Sequence, residues 1–199
     1  EIRTPMNGIL GVAALMAKTS LNKDQQHYLG IIQDAANNLL AVINDILDLE
    51  KIEAGKMQIE EIPFNITDKI NTIIRSFSYK AEEKGVRLLH KNQLPAQLQV
   101  KGDPHRLVQI LNNFLSNALK FTAQGAITLN THIKFDKEDW MALEFLVEDT
   151  GIGIAPEHLK SIFTPFTQAD STTARKYGGS GLGLSICKNL IEMQGGELW

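Results

Sequence analysis

Residues 148–154 read EDTGIGI, and the reading of this stretch decides the fold. The run before it, WMALEFLVED, is rich in apolar and aromatic residues and predicts a β-strand ending at Asp149. Gly151 and Gly153 follow at alternate positions. Glycine lets a backbone approach a ligand closely, and an aspartate at a strand end can accept a hydrogen bond from an amine such as the adenine amino group. An ordinary glycine turn has the same appearance, so its neighbours must decide. Upstream, AITLNTHIKF is a second strand, joined to the first through DKED as a hairpin.

Two further stretches carry chemistry. NNFLSNALKFT (residues 112–122) lies on a helix whose start is marked by Asp103 and Pro104, a cap followed by proline at the first helical position. Asn113, Asn117 and Lys120 are spaced four and three residues apart and share one face of that helix. Asparagine carbonyl oxygens are hard ligands suited to Mg2+, and lysine suits phosphate. The polar face of an amphipathic helix would look alike. RKYGGSGLGLS (residues 175–185) sets Gly178, Gly179, Gly181 and Gly183 before a last helix, LGLSICKNLIEMQ, which Gly195 and Gly196 stop. Backbone N–H groups at a helix start form an anion site. The preceding FTQADSTTARKY is polar and small, as expected of a lid. The spacing is neither the P-loop nor the dinucleotide fingerprint.

The rest of the chain divides near residue 60. Before it, two helices are expected. Met6, Ile9, Leu10, Val12, Ala13 and Met16 recur at helical spacing, and KTSLNKDQQ interrupts them. Asn22 and Gln25 form a capping-box pattern. Tyr28, Ile32, Ala35, Leu39, Val42, Ile46 and Leu49 then make a heptad seam, and Ala36, Leu40, Ile43 and Leu47 make a second. A hairpin offers each helix one partner, so two seams predict a dimeric four-helix bundle; packing of the second seam on another domain of the same chain is the alternative. After residue 60 the expected elements are a strand at KMQIEEI, a helix capped by Thr67 or Asp68 and ending at Gly85, a strand at VRLLHK, the helix after Pro104, the hairpin, a helix at PEHLKSIF and the last helix. This interleaving predicts an α+β chain, with an α/β sandwich following the hairpin.

Composition narrows the function classes. The 199 residues are 43% hydrophobic and 22% charged, with a formal net charge of -3, so no basic field points to nucleic acid. One cysteine, Cys187, excludes an internal disulfide framework and reads as a buried small hydrophobe. No apolar run is long enough to span a membrane.

Taken in order, these stretches resemble the sensor histidine kinases over essentially the whole chain. NNFLSNALKF looks like the family's N box, EDTGIGI its first glycine box, FTPFTQ its F box and GGSGLGL its second glycine box. IEAGK, FTQAD and RKYGG look most like hybrid kinases that carry a receiver domain. The resemblance implies a Bergerat-type ATP fold over residues 61–199 and a dimerisation and histidine-phosphotransfer hairpin over residues 1–60. It implies that Asn117 and Asn113 hold Mg2+, that Lys120 meets phosphate, and that Phe121 lines the pocket. Asp149 reads the adenine amine, with Gly151 and Gly153 giving room. Gly179, Gly181, Leu182 and Gly183 hold the phosphate side, and Arg175 contacts phosphate. EIRTP resembles the H box without its first residue, which places the acceptor histidine just before Glu1. Glu1 then takes the imidazole proton, and Thr4 orients water in dephosphorylation of a receiver partner. GGELW resembles the start of a strand hairpin, so the chain is expected to be a fragment at both ends. ATP and Mg2+ are the implied cofactors. A homodimer and a receiver domain are the implied partners, with no nucleic acid. The resemblance places the chain in the cytoplasm, in a parent attached to the bacterial inner membrane.

Two other readings compete. One is a degenerate kinase serving as a nucleotide-regulated dimeric interaction module. The other is a chaperone- or topoisomerase-type ATPase, which uses a glutamate base on the helix equivalent to NNFLSNALKF; position 113 holds asparagine, and the hairpin has no place in that reading.

Overall fold

The structure is a computed structural model that describes residues 2–167 and 180–199. The chain forms two compact units, the first ending at Met57 and the second spanning Gln58–Trp199.

The first unit is a pair of packed helices, α1 (Arg3–Met16) and α2 (Lys23–Glu53). The capping box at the start of α2 is complete. Asn22 Oδ1 accepts the Gln25 N–H at 2.8 Å, and Gln25 Oε1 accepts the Asn22 N–H at 3.0 Å. Gly55, at φ +63, ends the helix. Met6, Ala13, Leu29, Ala36 and Leu49 are buried. Of the second seam, Ala36 is buried, Leu40 and Ile43 are half-buried, and Leu47 is exposed. The first seam faces outward at Tyr28, Ile32, Leu39 and Ile46, which are 61%, 48%, 47% and 40% exposed. Arg3 Nη2 donates to Asn44 Oδ1 at 2.6 Å and ties the start of α1 to α2.

The second unit is an α/β sandwich. Its described elements are β1 (Ile62–Asn65), α3 (Ile66–Lys84), β2 (Val86–Asn92), β3 (Gln99–Gly102), α4 (Pro104–Phe121), β4 (Gly125–Asp136), β5 (Met141–Asp149) and α5 (Gly183–Met193). The larger sheet has the order β2-β4-β5. β2 runs parallel to β4, with Val86 opposite Gly125. β4 and β5 form the antiparallel hairpin, with Ile127 opposite Asp149. β1 and β3 pair separately and antiparallel. Ile70 and Phe77 of α3, Leu111 and Leu115 of α4, and Ile127 and Leu129 of β4 form one core between the helices and the sheet. Among the described residues no helix is long and apolar enough to cross a membrane.

Several local expectations shift. The strand expected at KMQIEEI begins only at Ile62 and includes Pro63. Asp103 Oδ2 accepts the Glu60 N–H at 3.1 Å, so a side chain takes the bond a ladder would need. Pro63 is tolerated because, among the described residues, β1 has β3 as its one ladder partner. The cap of α3 is Asn65, which accepts the Asp68 N–H; Thr67 is buried and donates to Pro95 O at 2.8 Å. PEHLKSIF forms only a 3-10 turn at Pro156–His158, followed by further turns. Pro165 disfavours the helical conformation at the residue before it. Residues 195–199 form no strand. Gly196 N–H bonds back to Ile191 O and Gly195 takes φ +72, which closes α5.

Candidate nucleotide site

Two segments pack along α4: the loop after β5 on its last residue, Phe121, and the start of α5 on Asn113, about two turns earlier. The last residue of β5 is Asp149. Its Oδ1 accepts the Gly151 N–H at 2.8 Å and lies 3.5 Å from Thr122 Oγ1. Thr122 is fully buried just past α4. Both contacts use Oδ1, and Asp149 is exposed.

Gly151 has no room for a side chain. A Cβ there would stand 2.5 Å from Phe121 O and 2.7 Å from Asp149 Oδ1. Ile152 N–H donates to the same Phe121 O at 3.4 Å, so the loop after β5 is bonded to the end of α4. Gly153 needs glycine for a different reason: its φ of +70 lies in the left-handed region, with open space beside it. Thr150, between Asp149 and Gly151, accepts the Ala126 N–H at 3.0 Å and donates to Gln124 O at 3.5 Å.

On α4, Asn117 Nδ2 donates to Asn113 Oδ1 at 3.1 Å. This leaves Asn117 Oδ1, a hard oxygen, without a protein partner among the described residues. Lys120 Nζ lies 4.8 Å from the centre of the Phe121 ring. Partial burial pushes the Lys120 ammonium below the ordinary lysine value, so an arriving anion would find a poorly solvated cation.

The α5 start meets this face directly. A Cβ on Gly183 would fall 2.0 Å from Asn113 Nδ2, so a larger residue here would force the Asn113 side chain to move. Leu182 is fully buried and anchors the helix start, so any ligand contact it makes is through its backbone. Gly181, at φ +71, packs against the backbone of Phe166 and accepts the Phe166 N–H at 3.1 Å. Phe166 itself has φ +60, which a non-glycine residue rarely adopts.

Asn113, Asn117, Lys120, Phe121, Asp149, Gly151, Gly153, Gly181, Leu182 and Gly183 therefore lie on α4 or on the two segments that pack along it. Arg175, Gly179 and Glu1 lie outside the described residues, as does most of the expected lid. Thr4 is exposed on α1 in the first unit. Sequence reasoning missed Thr122, Thr150 and Phe166. A buried threonine has no periodic signature, and the Phe166 backbone conformation is invisible in residue type. Cys187 is buried, as expected. His132 pairs with Glu144 at 3.1 Å and His90 with Thr131 at 3.1 Å, so both have structural partners.

Residues 102–199 match the family model for histidine kinase-, DNA gyrase B- and HSP90-like ATPases, and residues 1–55 match that for the His Kinase A phospho-acceptor domain. The chain belongs to the histidine kinases. It is the catalytic core of a two-component sensor kinase. This kinase core is 44% identical over 198 residues to the sensor protein GacS of Pseudomonas syringae pv. syringae, covering all of the chain and 22% of GacS. It is 46% identical over 199 residues to the autoinducer 2 sensor kinase/phosphatase LuxQ of Vibrio vulnificus, again covering all of the chain and 23% of LuxQ. The kinase core thus spans about a fifth of the length of these relatives. Among solved structures, full-length ShkA in complex with AMPPNP superposes with a TM-score of 0.74 at 33% identity, over 98% of this chain and 39% of ShkA. AdeS of Acinetobacter baumannii shares the fold, with a TM-score of 0.61 at 18% identity over 96% of this chain and 85% of AdeS. The family and the ShkA complex identify α4, β5 and α5 as part of an ATP-binding domain.

Proposed function

We propose that the intact protein uses this core to transfer the γ-phosphoryl group of ATP to a histidine immediately before Glu1, and then to an aspartate of a receiver domain. The observation that carries the reading is the contact of Gly183 with Asn113, which brings the second glycine stretch onto the asparagine face of α4. The match of residues 1–55 to a phospho-acceptor domain supports the acceptor's place. In this scheme residues 1–60 form the phosphotransfer hairpin and residues 61–199 the ATP-binding domain.

Asp149 Oδ2 accepts the adenine amino group, and Gly151 and Gly153 leave room for the ring beside Phe121. Lys120 and Arg175 bind phosphate oxygens, and the backbone at Gly179, Gly181, Leu182 and Gly183 donates to them. Asn117 Oδ1, with Asn113 beside it, is a hard-oxygen set that fits Mg2+. A bound Mg2+ would neutralise charge on the phosphates. The nucleophilic imidazole nitrogen forms a bond to the γ-phosphorus as the bond to the ADP oxygen breaks, and Glu1 takes the imidazole proton. Thr4 orients water when the same hairpin removes phosphate from the receiver; the sensor kinase/phosphatase LuxQ supports this second activity. The outward seam at Tyr28, Ile32, Leu39 and Ile46 supports a homodimer through the hairpin. The position we propose is cytoplasmic, in a parent attached to the bacterial inner membrane; the relatives named as sensors, GacS and LuxQ, are consistent with a core that receives its signal from elsewhere in a longer chain.

The test is radiolabelling. A polypeptide that starts at Glu1 binds ATP and takes no γ-phosphate. Adding the histidine, with enough preceding residues to continue α1, gives an acid-labile and base-stable label. Glu1→Gln in that longer chain slows labelling by about 10²–10⁴-fold. Undiminished labelling of the chain that starts at Glu1 would overturn the assignment.

A further inference from the structure

The C-terminal end of α4 has an unusual way of satisfying its backbone. A helix leaves its last four carbonyls without intrahelical partners, and many helices close them with a left-handed residue. Thr122, the residue after α4, is extended instead, at φ -97 and ψ 107. Ala118 O accepts the Thr122 N–H at 3.0 Å, and Phe121 O accepts the Ile152 N–H at 3.4 Å. The two carbonyls between them are taken by a single side chain from another helix. Lys84 Nζ donates to Leu119 O at 2.5 Å and to Lys120 O at 3.2 Å.

Lys84 is the last residue of α3, and Gly85 turns the chain away in the left-handed conformation at φ +74. Its ammonium therefore sits at the carbonyl ends of two helices, where a positive charge is favoured. The turn of α4 that it holds carries Lys120 and Phe121, and Phe121 O is the atom against which Gly151 packs.

We infer that Lys84 is a positioning residue for the nucleotide site, setting Lys120, Phe121 and the Asp149–Gly151 loop in register by capping α4 from outside. The inference rests on the reading of this site as nucleotide-binding. Without the ammonium, Leu119 O and Lys120 O lose the donor they share, and the last turn of α4 is freer to move relative to the loop bonded to it.

The experiment is a calorimetric titration of the whole chain with a non-hydrolysable ATP analogue and magnesium, well below the melting temperature. Lys84→Met keeps the aliphatic stem and removes the donor. It should weaken binding roughly tenfold, the size of one lost charge-assisted contact. Lys84→Arg, which can still donate to both carbonyls, should bind within about threefold of the unaltered chain. Gly85→Ala is the control for a purely structural effect. It strains the turn after α3 and touches nothing at α4, because a Cβ there meets open space. It should lower the melting temperature and leave affinity unchanged. If Lys84→Met behaves like Gly85→Ala, with affinity within twofold of the unaltered chain, the inference is overturned and the nucleotide reading stands. If the unaltered chain does not bind the analogue, both fall.

Discussion

The two units close their surfaces in different ways. In the second, α3, α4 and the sheet surround Ile70, Leu111, Leu115 and Leu129, none more than 1% exposed. Its site is set by close contacts: Gly151 against the Phe121 backbone oxygen and Gly183 against the Asn113 side chain. In the first unit, α1 and α2 bury a short list of small and medium side chains, while Tyr28, Ile31, Ile32 and Leu39 remain outward. A helix with apolar residues on two sides needs a second surface. The difference teaches that, among the described residues, the second unit covers its own apolar core, whereas the hairpin leaves an apolar surface open, as the proposed dimer requires.

The sharpest way to break this contrast is to overfill the closed site. Gly151→Ala forces a Cβ against a backbone oxygen that cannot swing aside. We expect ATP affinity to fall more than tenfold, with an overpacking cost of about 1–3 kcal/mol. Gly153→Ala separates space from conformation. It should cost roughly 1–2 kcal/mol of stability from the left-handed backbone and change affinity less, because nothing crowds its Cβ. Equal affinities for both variants and the unaltered chain in a nucleotide titration would mean that the Gly151 contact does not shape the site.

The open seam gives the second test. Ile32→Asp with Leu39→Asp places two charges on the outward face of α2. The chain should sediment as a monomer, while its ATP affinity stays within about twofold of the unaltered chain, as expected for independent sites. A dimer that survives, or an affinity that falls with the dimer, would contradict the division of labour.

The smallest effect is expected on the solvent face of the sheet. Hydrogen bonding to Lys134, at 2.9 Å, together with the Lys134 and His132 charges, holds the Glu144 carboxyl below its ordinary value. A carboxyl depressed in the folded state adds stability above its unfolded value, near 4.3, and loses it as pH falls through the folded value. Glu144→Gln should therefore melt slightly lower at pH 7, with the difference closing below about pH 4 in thermal scans. A difference that widens on acidification would reverse the sign.

What the sequence disclosed follows the range of the interactions. The capping box at Asn22 and Gln25 and the Asp103–Pro104 start are local, and both are legible in residue order. The two seams of α2 are legible as a pattern, although only the structure separates the inward residues from the outward ones. β1 was misplaced because Asp103 captures the Glu60 N–H from 43 residues away. β3 is four residues long with one valine, too short for periodicity to show. At the site, glycines and asparagines stand out in order. Their mutual fit, a missing Cβ on Gly183 beside the Asn113 amide, joins distant positions that no spacing rule links. Thr122 and Lys84 act through one hydroxyl and one ammonium, which leave no pattern.

In the proposed function Asp149, at the end of β5, is the group that reads the nucleotide. The most direct measurement is a calorimetric titration of ATP into the unaltered chain and into Asp149→Asn. The substitution keeps the shape and replaces one carboxylate oxygen by an amide donor. A lost buried hydrogen bond with its partner left unpaired costs about 1–3 kcal/mol, so affinity should fall by roughly 5- to 150-fold with the melting temperature little changed. Equal affinity of the two proteins for ATP would contradict it.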